Sequence, residues 1–236
     1  MAMAGWDSQQ MLDGIEGILN LAAASGEDLG TTSDIVTDAL TAFGLKASDA
    51  AHFSDVLAQS AVSANTNVSM MGESFKYVAP IAGAMKYSVE DTSLALGLMA
   101  NASVKGSMAG TSLKTALANM AAPTDKMATA MKKYGISLTD SNGNMKTLKG
   151  VLDNLRSSLG GLSETEKTAA ASTIFGKEAM SGMLAIINAT ESDYNKLAES
   201  INNADGAASK MSDTMLDNLE AVSYTHLRAH ETSAHL

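Results

Sequence analysis

Oxygen-bearing side chains stand at alternate positions in one short stretch, at Asp140, Asn142 and Asn144. Oxygen ligands at positions one, three and five are how a calcium-binding loop begins, but that loop also needs glycine at position six and glutamate at position twelve. Met145 and Val151 stand at those two positions. The stretch is therefore interpreted as a turn and not as a calcium site.

His52 is the single histidine before residue 223, and the chain contains no cysteine. One imidazole without a second nitrogen or sulfur ligand nearby does not make a zinc site, and the missing cysteines exclude disulfides and thiolate chemistry. Asp49 and Asp55 flank His52 at helical spacing, which is typical of a solvated acidic helix face.

Two carboxylate pairs, Glu90 with Asp91 and Glu164 with Glu166, could in principle perform acid–base chemistry. Both pairs stand where a helix is predicted to begin, and acidic side chains complement the positive end of the helix dipole there. We interpret them as helix-start residues. The sequence thus predicts no catalytic residue, no metal ligand, no cofactor and no enzyme activity.

The elements that position these residues are predicted to be helices. Hydrophobic residues make up 45% of the chain and aromatic residues only 4%, with two prolines, and alanine, leucine and methionine favour helix. Apolar residues recur at helical spacing, beginning with a stripe at Leu12, Ile15, Leu19 and Ala22 that we expect to face the core. Helices are predicted at about residues 8–24, 31–43, 48–61, 69–86, 88–99, 107–121, 123–134 and 148–159, with three or four more after residue 163.

Short breaks between the predicted helices indicate antiparallel neighbours packed into a bundle. One stretch differs: Ile136 and Leu138 alternate with polar residues, and Asn142-Gly143 is a strong tight-turn signal. The predicted fold class is therefore all-α, with multiple, mostly antiparallel helices and one small β-hairpin near 136–146.

Several local signals refine this prediction. Thr31 with Asp34 has the spacing of a partial capping box, Ser163 with Glu166 makes a full one, and Pro80 should kink or split its helix. The spacing of Gly106 and Gly110 would let two helices approach closely, but a helix start near Ser107 explains Gly106 as well. Trp6 is expected to anchor packing, and the sixteen methionines are interpreted either as flexible core filler or as an adaptable interaction surface.

The formal net charge is −10. A chain this acidic is repelled by nucleic acid and by anionic lipid, and Lys132-Lys133 is its only adjacent basic pair. We therefore predict no nucleic-acid site. No segment approaches the ~18 consecutive apolar residues of a membrane span, and the N-terminus lacks the basic start of a secretory signal.

The last fourteen residues, 223–236, differ from the rest of the chain. They hold three of the four histidines and lose the helical periodicity. The run resembles a translated sequencing adapter, so two segments are expected: a helical region at 1–222, truncated at both ends, and a non-native tail at 223–236.

Long stretches of this sequence resemble the conserved core of phage tail tape measure proteins, and together they cover nearly the whole chain up to Glu220. They are MAMAGWDSQQMLDGIEGILNLAAASGEDL at the start, TTSDIVTDALTAFGL (31–45), ANTNVSMMGESFKYVAPIAGAMKYSVEDT (64–92), LGLMANASVKGSMAGTSLKTAL (96–117), YGISLTDSNGNMKTL (134–148) and FGKEAMSGMLAII (175–187).

The resemblance implies a structural protein of a long-tailed bacteriophage. Such proteins lie in the lumen of the growing tail tube, set the tail's length, and are thought to assist DNA passage at infection. They are made in the bacterial host cytoplasm, and their implied partners are the tail tube protein and the tail assembly chaperones. Self-association of this chain is expected from its residues, because methionine-rich and small-residue faces should leave apolar surface exposed. The family's core carries no catalytic residue that could be transferred to this chain.

Two other functions remain open from the residues. The chain could be a helical scaffold or binding module unrelated to phage, or the non-catalytic part of a tail-associated cell-wall hydrolase. A single helix of 236 residues would span ~350 Å, but the many breaks favour a folded bundle. We therefore expect this region to serve packing or assembly, with the measuring stretch elsewhere in the protein.

Overall fold

A computed structural model describes Met1 and residues 5–217 of the chain. Within these residues the chain forms eleven α-helices, a single 3-10 turn at Ala47–Asp49, and a further helical stretch at 207–217, with no β-strand. The predicted all-α class is confirmed. The helices are α1 (Ser8–Ser25), α2 (Leu29–Phe43), α3 (Ala50–Ser63), α4 (Val68–Ala84), α5 (Val89–Asn101), α6 (Gly106–Ala121), α7 (Asp125–Tyr134), α8 (Leu148–Leu159), α9 (Glu164–Phe175), α10 (Lys177–Asn188) and α11 (Glu191–Asn202).

Side-chain caps set most of the helix starts. The full capping box predicted for Ser163 and Glu166 is present at the start of α9. The partial box predicted for Thr31 and Asp34 is wrong, because Asp28 caps α2 by accepting a hydrogen bond from the Thr31 backbone N–H (3.0 Å). Asp28 satisfies the Thr31 N–H that the Asp34 side chain would bond in the predicted box, so the helix begins before Thr31.

The helices are stacked in successive layers. α1 and α2 pack on α3 and α4, α4 packs on α6, and α5 and α6 pack on α10 and α11, while α7 lies at the far edge against α9. One continuous apolar core runs through these layers. Phe53 and Phe75 meet edge to face in it, with ring centroids 5.4 Å apart.

The buried face of α1 differs from the one that the apolar stripe predicts, although Ala22 of that stripe is buried. Gly14, Gly17, Ile18 and Leu21 face the core, whereas Leu12 and Leu19 are 68% and 46% exposed. Gly17 explains the choice, because a Cβ at this position would lie 2.5 Å from the backbone Cα of Ala51 in α3. Only the glycine side of α1 can approach α3 this closely.

The close contact between α4 and α6 also depends on a glycine. A Cβ at Gly110 would lie 2.9 Å from the backbone carbonyl carbon of Ser74, and the Ser74 hydroxyl donates a hydrogen bond to the Gly106 carbonyl (2.8 Å). The predicted close helix approach is therefore present at Gly110, whereas Gly106 begins α6 with a φ of +57° and a Cβ there would meet only Glu73, at 3.9 Å. Pro80 does not split its helix, because α4 continues through it to Ala84.

The β-hairpin predicted near 136–146 is wrong. The described chain has only a single antiparallel bridge there, between Thr139 and Met145. The Asp140 carboxylate accepts hydrogen bonds from the backbone N–H groups of Asn142 (2.8 Å) and Asn144 (2.9 Å), which closes a compact turn. Thr147 then caps α8, so too few residues remain on that side for a strand.

No helix among the described residues has the length and apolar character needed to span a membrane.

Candidate functional site

His52 joins three parts of the fold. Its Nε2 lies 2.6 Å from the Glu90 carboxylate at the start of α5, and its Nδ1 lies 3.2 Å from Asp205, just before the helical stretch 207–217. Burial alone lowers the pKa of His52, but hydrogen bonds to Glu90 and Asp205 outweigh it and raise the pKa above the usual 6.5. The partners lie 38 and 153 residues away, so sequence spacing gave no signal for them.

Asp55 fixes the same region of the fold. Its two carboxylate oxygens accept hydrogen bonds from the backbone N–H groups of Gly206 (2.8 Å) and Ala208 (2.9 Å), and so hold the start of the helical stretch 207–217. Asp49 accepts a hydrogen bond from the Lys46 N–H (2.7 Å). The prediction of a merely solvated acidic face is therefore wrong for these two carboxylates, because both satisfy backbone amides.

The first carboxylate pair, Glu90 and Asp91, is divided between two tasks. Glu90 binds His52, and Asp91 accepts a hydrogen bond from the Lys149 backbone N–H (2.8 Å) at the start of α8. Burial raises the pKa of Asp91, while burial of Glu90 is outweighed by hydrogen bonds, including that from His52, which lower its pKa. Helix α5 thus contacts both α3 and α8 through polar groups at its own first turn.

Tyr194 of α11 lies beneath two cations of α8. The Arg156 guanidinium carbon is 4.1 Å from the centroid of the Tyr194 ring, and the Lys149 ammonium is 5.2 Å from it. Burial raises the pKa of the Tyr194 phenol above its ordinary value, which keeps it neutral. Arg156 also donates to the Ala189 carbonyl (2.9 Å), so the cluster ties α8 to the end of α10.

The second pair, Glu164 and Glu166, lies in the first turn of α9. Glu166 closes the capping box with Ser163, and those hydrogen bonds lower its pKa. Glu164 accepts a hydrogen bond from Lys167 (2.9 Å), whose ammonium also donates to Asn188 (2.8 Å) at the end of α10. Lys167 is only 6% exposed, which sequence analysis missed because its spacing resembles an ordinary surface pair.

Among the described residues, no group of three or more histidine and acidic side chains is arranged to hold a metal ion. Each polar cluster above places its charged atoms on backbone groups or on one another. Their geometry serves to hold helices together.

The outer surface offers two features suited to binding. The first is the α1 ridge, formed by the exposed Leu12 and Leu19 with the half-buried Ile15 between them. The second is the α7–α9 groove, a shallow open depression of about 530 Å³ at the opposite edge of the fold. The groove is lined by Asp125, Lys126, Thr129, Ala130, Lys133, Tyr134, Ala169, Ala170 and Thr173.

The methionines divide between core and surface, as the two interpretations of them allowed. Met71, Met120 and Met183 are buried in the core, whereas Met70 and Met108 are 42% and 57% exposed.

Trp6 packs over Gly14 at the edge of the core, as expected for a packing anchor.

Comparison with known proteins gives three findings. A family model described as "phage-related minor tail protein" matches residues 1–176. A tape measure protein of Pneumococcus phage Dp-1 is 41% identical over 219 residues, which is 93% of this chain and 19% of that protein. A probable tape measure protein of Escherichia phage P2 is 28% identical over 222 residues, 93% of this chain and 27% of that protein. No solved structure matches.

Proposed function

The chain belongs to the family of phage-related minor tail proteins, and we propose that it is the folded core region of a tape measure protein. The observation that carries this proposal is the 41% identity to the tape measure protein of Pneumococcus phage Dp-1, which extends over 93% of the chain. The chain spans 19% and 27% of the two relatives it matches, so it corresponds to one region of a much longer protein.

For the whole protein, we propose the role that the relatives' name implies. It is made in the host cytoplasm, lies in the lumen of the tail tube, sets tail length during assembly and assists DNA passage at infection. Its partners in this proposal are the tail tube protein and the tail assembly chaperones. The described polar clusters hold helices together, which supports a structural role and not an enzymatic one.

The region in hand contributes assembly contacts and not measured length. Its longest helix, α1, has 18 residues and spans about 27 Å at 1.5 Å per residue. Residues 5–217 in one continuous helix would span about 320 Å, whereas a globular fold of that size has a radius of gyration of about 17 Å and a width near 45 Å. A folded core therefore adds far less length to the protein than a continuous helix with the same number of residues.

A pair of deletions tests this division of labour in a phage that carries this chain. One deletion removes residues 5–217 of this region, and the matched deletion removes the same number of residues from the part of the protein beyond it. Tail length is measured by electron microscopy. We expect the matched deletion to shorten the tail by about 320 Å, and the core deletion to shorten it by about 45 Å or less, or to prevent tail formation.

Two results would contradict the proposal. Tails shortened by about 320 Å after the core deletion would show that this region measures length in extended form. Normal tail length after both deletions would show that the protein is not the ruler at all.

A further inference from the structure

The α1 ridge is an apolar surface that the protein's own core does not use. Leu12 and Leu19 are 68% and 46% exposed, while the opposite side of α1 is buried against α3. Asp13 and Glu16 stand exposed beside the ridge. The ridge is thus an apolar strip flanked by acidic residues, and its two leucines lie outside the core.

The α7–α9 groove has the converse character. Ala130, Tyr134 and Ala169 give it apolar lining, and Lys126 and Lys133 line it with Asp125 as the only carboxylate. Lys133 also lies near Glu166 of α9 and helps to lower its pKa. Lys126 and Lys133 are exposed. An apolar strip with acidic flanks therefore matches this groove in both polarity and charge.

Charge is segregated along the chain in the same sense. The first 45 residues contain seven carboxylates and no lysine or arginine, whereas residues 105–134 contain five lysines and only Asp125 as a carboxylate. None of the seven N-terminal carboxylates forms an ion pair with another described residue. Opposite potentials of this kind favour association and fix its orientation.

The ridge and the groove cannot meet within one molecule, because α1 packs on α2 and α3 while α7 packs on α9 and α6. Their lengths agree, however. Leu12 to Leu19 and Lys126 to Lys133 each span seven residues of helix, or about 10 Å.

We propose that the α1 ridge of one copy of this chain binds in the α7–α9 groove of a second copy. Asp13 and Glu16 of one copy then face Lys126 and Lys133 of the next. Such an interface joins two different surfaces, so each copy keeps one free ridge and one free groove, and the contact generates rings or longer head-to-tail assemblies. The proposal goes beyond the tail function and concerns only how copies of the chain meet.

Removal of the exposed leucines tests the ridge. The full chain carrying Leu12→Ser and Leu19→Ser is compared with wild type by sedimentation at increasing concentration. We expect at least a tenfold weaker self-association with an unchanged circular dichroism spectrum, because both side chains lie outside the core. Val62→Ser with Met108→Ser is the matched control, since these side chains are 59% and 57% exposed elsewhere, and it should associate as wild type does.

Charge reversal tests the pairing of the flanks. Asp13→Lys with Glu16→Lys should weaken association at least tenfold, and adding Lys126→Glu with Lys133→Glu to the same chain should restore it. Glu178→Lys with Glu199→Lys makes the same change in formal charge on exposed residues outside both surfaces and should leave association unchanged.

A mixing experiment distinguishes this head-to-tail contact from a symmetric one. Ala169→Arg fills the groove, and Ala118→Arg at an exposed position of α6 is its control. The Ala169→Arg chain and the chain lacking both ridge leucines should each be monomeric alone, and should form a one-to-one dimer when mixed, because each supplies the surface that the other lacks.

Three results would overturn the proposal. Wild-type chain that stays monomeric at several hundred micromolar has no such interface between copies. Association that survives Ala169→Arg shows that the ridge does not occupy the groove. Failure of the two blocked chains to form a dimer shows that the two surfaces do not bind each other.

Discussion

Replacing Gly110 with alanine is expected to force α4 and α6 apart. The new Cβ would lie 2.9 and 3.0 Å from the backbone carbonyl carbon and Cα of Ser74, and nearer still to its carbonyl oxygen. Ordinary Cβ contacts are 3.4 Å or longer, so the helices must separate locally by about 1 Å, chiefly to clear the Ser74 carbonyl oxygen. The obstacle is backbone, and no side-chain rotation can relieve it.

The cost follows from three contributions. Inserting a methyl group into a closely packed contact costs about 1–3 kcal/mol. The hydrogen bond from the Ser74 hydroxyl to the Gly106 carbonyl, now 2.8 Å, is stretched by the same movement, and such a bond contributes about 1 kcal/mol. Alanine in place of glycine inside a helix regains about 1 kcal/mol. The net loss in the free energy of unfolding is about 1–3 kcal/mol.

Urea unfolding followed by circular dichroism measures this change in the free energy of unfolding. For a protein of this size, each kcal/mol of lost stability lowers Tm by roughly 2–4 °C. Gly161→Ala is the matched control, because nothing lies within 4 Å of a Cβ at that position, and we expect it to stay within about 0.5 kcal/mol of wild type. If Gly110→Ala unfolds at the same urea concentration as wild type or a higher one, the α4–α6 contact does have room for a Cβ at position 110.

Two further predictions concern polar groups. Protonated His52 stabilises the fold, because its pKa is raised above 6.5 on folding, so this contribution is complete below pH 6.5 and is lost as pH rises through the higher folded value. The pKa of Glu90 is lowered, so its contribution is lost only on acidification below its ordinary 4.5. Tm should therefore fall between pH 5.5 and pH 8 more in wild type than in His52→Asn, and equal slopes would contradict this. Lys167→Met keeps the buried stem and should cost about 1–2 kcal/mol for the lost bonds to Glu164 and Asn188, whereas Lys167→Ala adds a cavity and should cost about 2–4 kcal/mol by urea unfolding. The reverse order of the two variants would show that packing of the stem contributes little.

The helices were largely predictable from the sequence, because their signals are local. The Ser163–Glu166 capping box, the start of α5 at Ser88 and the glycine after Phe43 each lie within a few residues of the helix end that they define. A cap acts on amides three residues away, so sequence spacing is sufficient to find it. The Asn142-Gly143 turn was found for the same reason, but the turn does not require strands on either side of it.

The polar clusters were not predictable in this way. His52 finds Asp205, and Asp55 finds Gly206 and Ala208, across more than 150 residues of chain. With a single sequence, nothing marks which of many surface carboxylates will meet a distant amide. Only the packing of α3 beside the helical stretch 207–217 brings them together. The tail predicted at 223–236 lies outside the described residues, so it stays a prediction.

By itself, the sequence determined the all-α class, most helix boundaries and the resemblance to tape measure proteins, because these depend on local periodicity and on residue identity along the chain. The tertiary structure alone decided which side of α1 is buried. Both of its faces carry apolar residues at helical spacing, but only Gly17 lets the backbone of α3 come close, and Gly14 on the same face leaves room for the Trp6 ring. That steric selection turns Leu12 and Leu19 outward, away from the core that periodicity predicted for them.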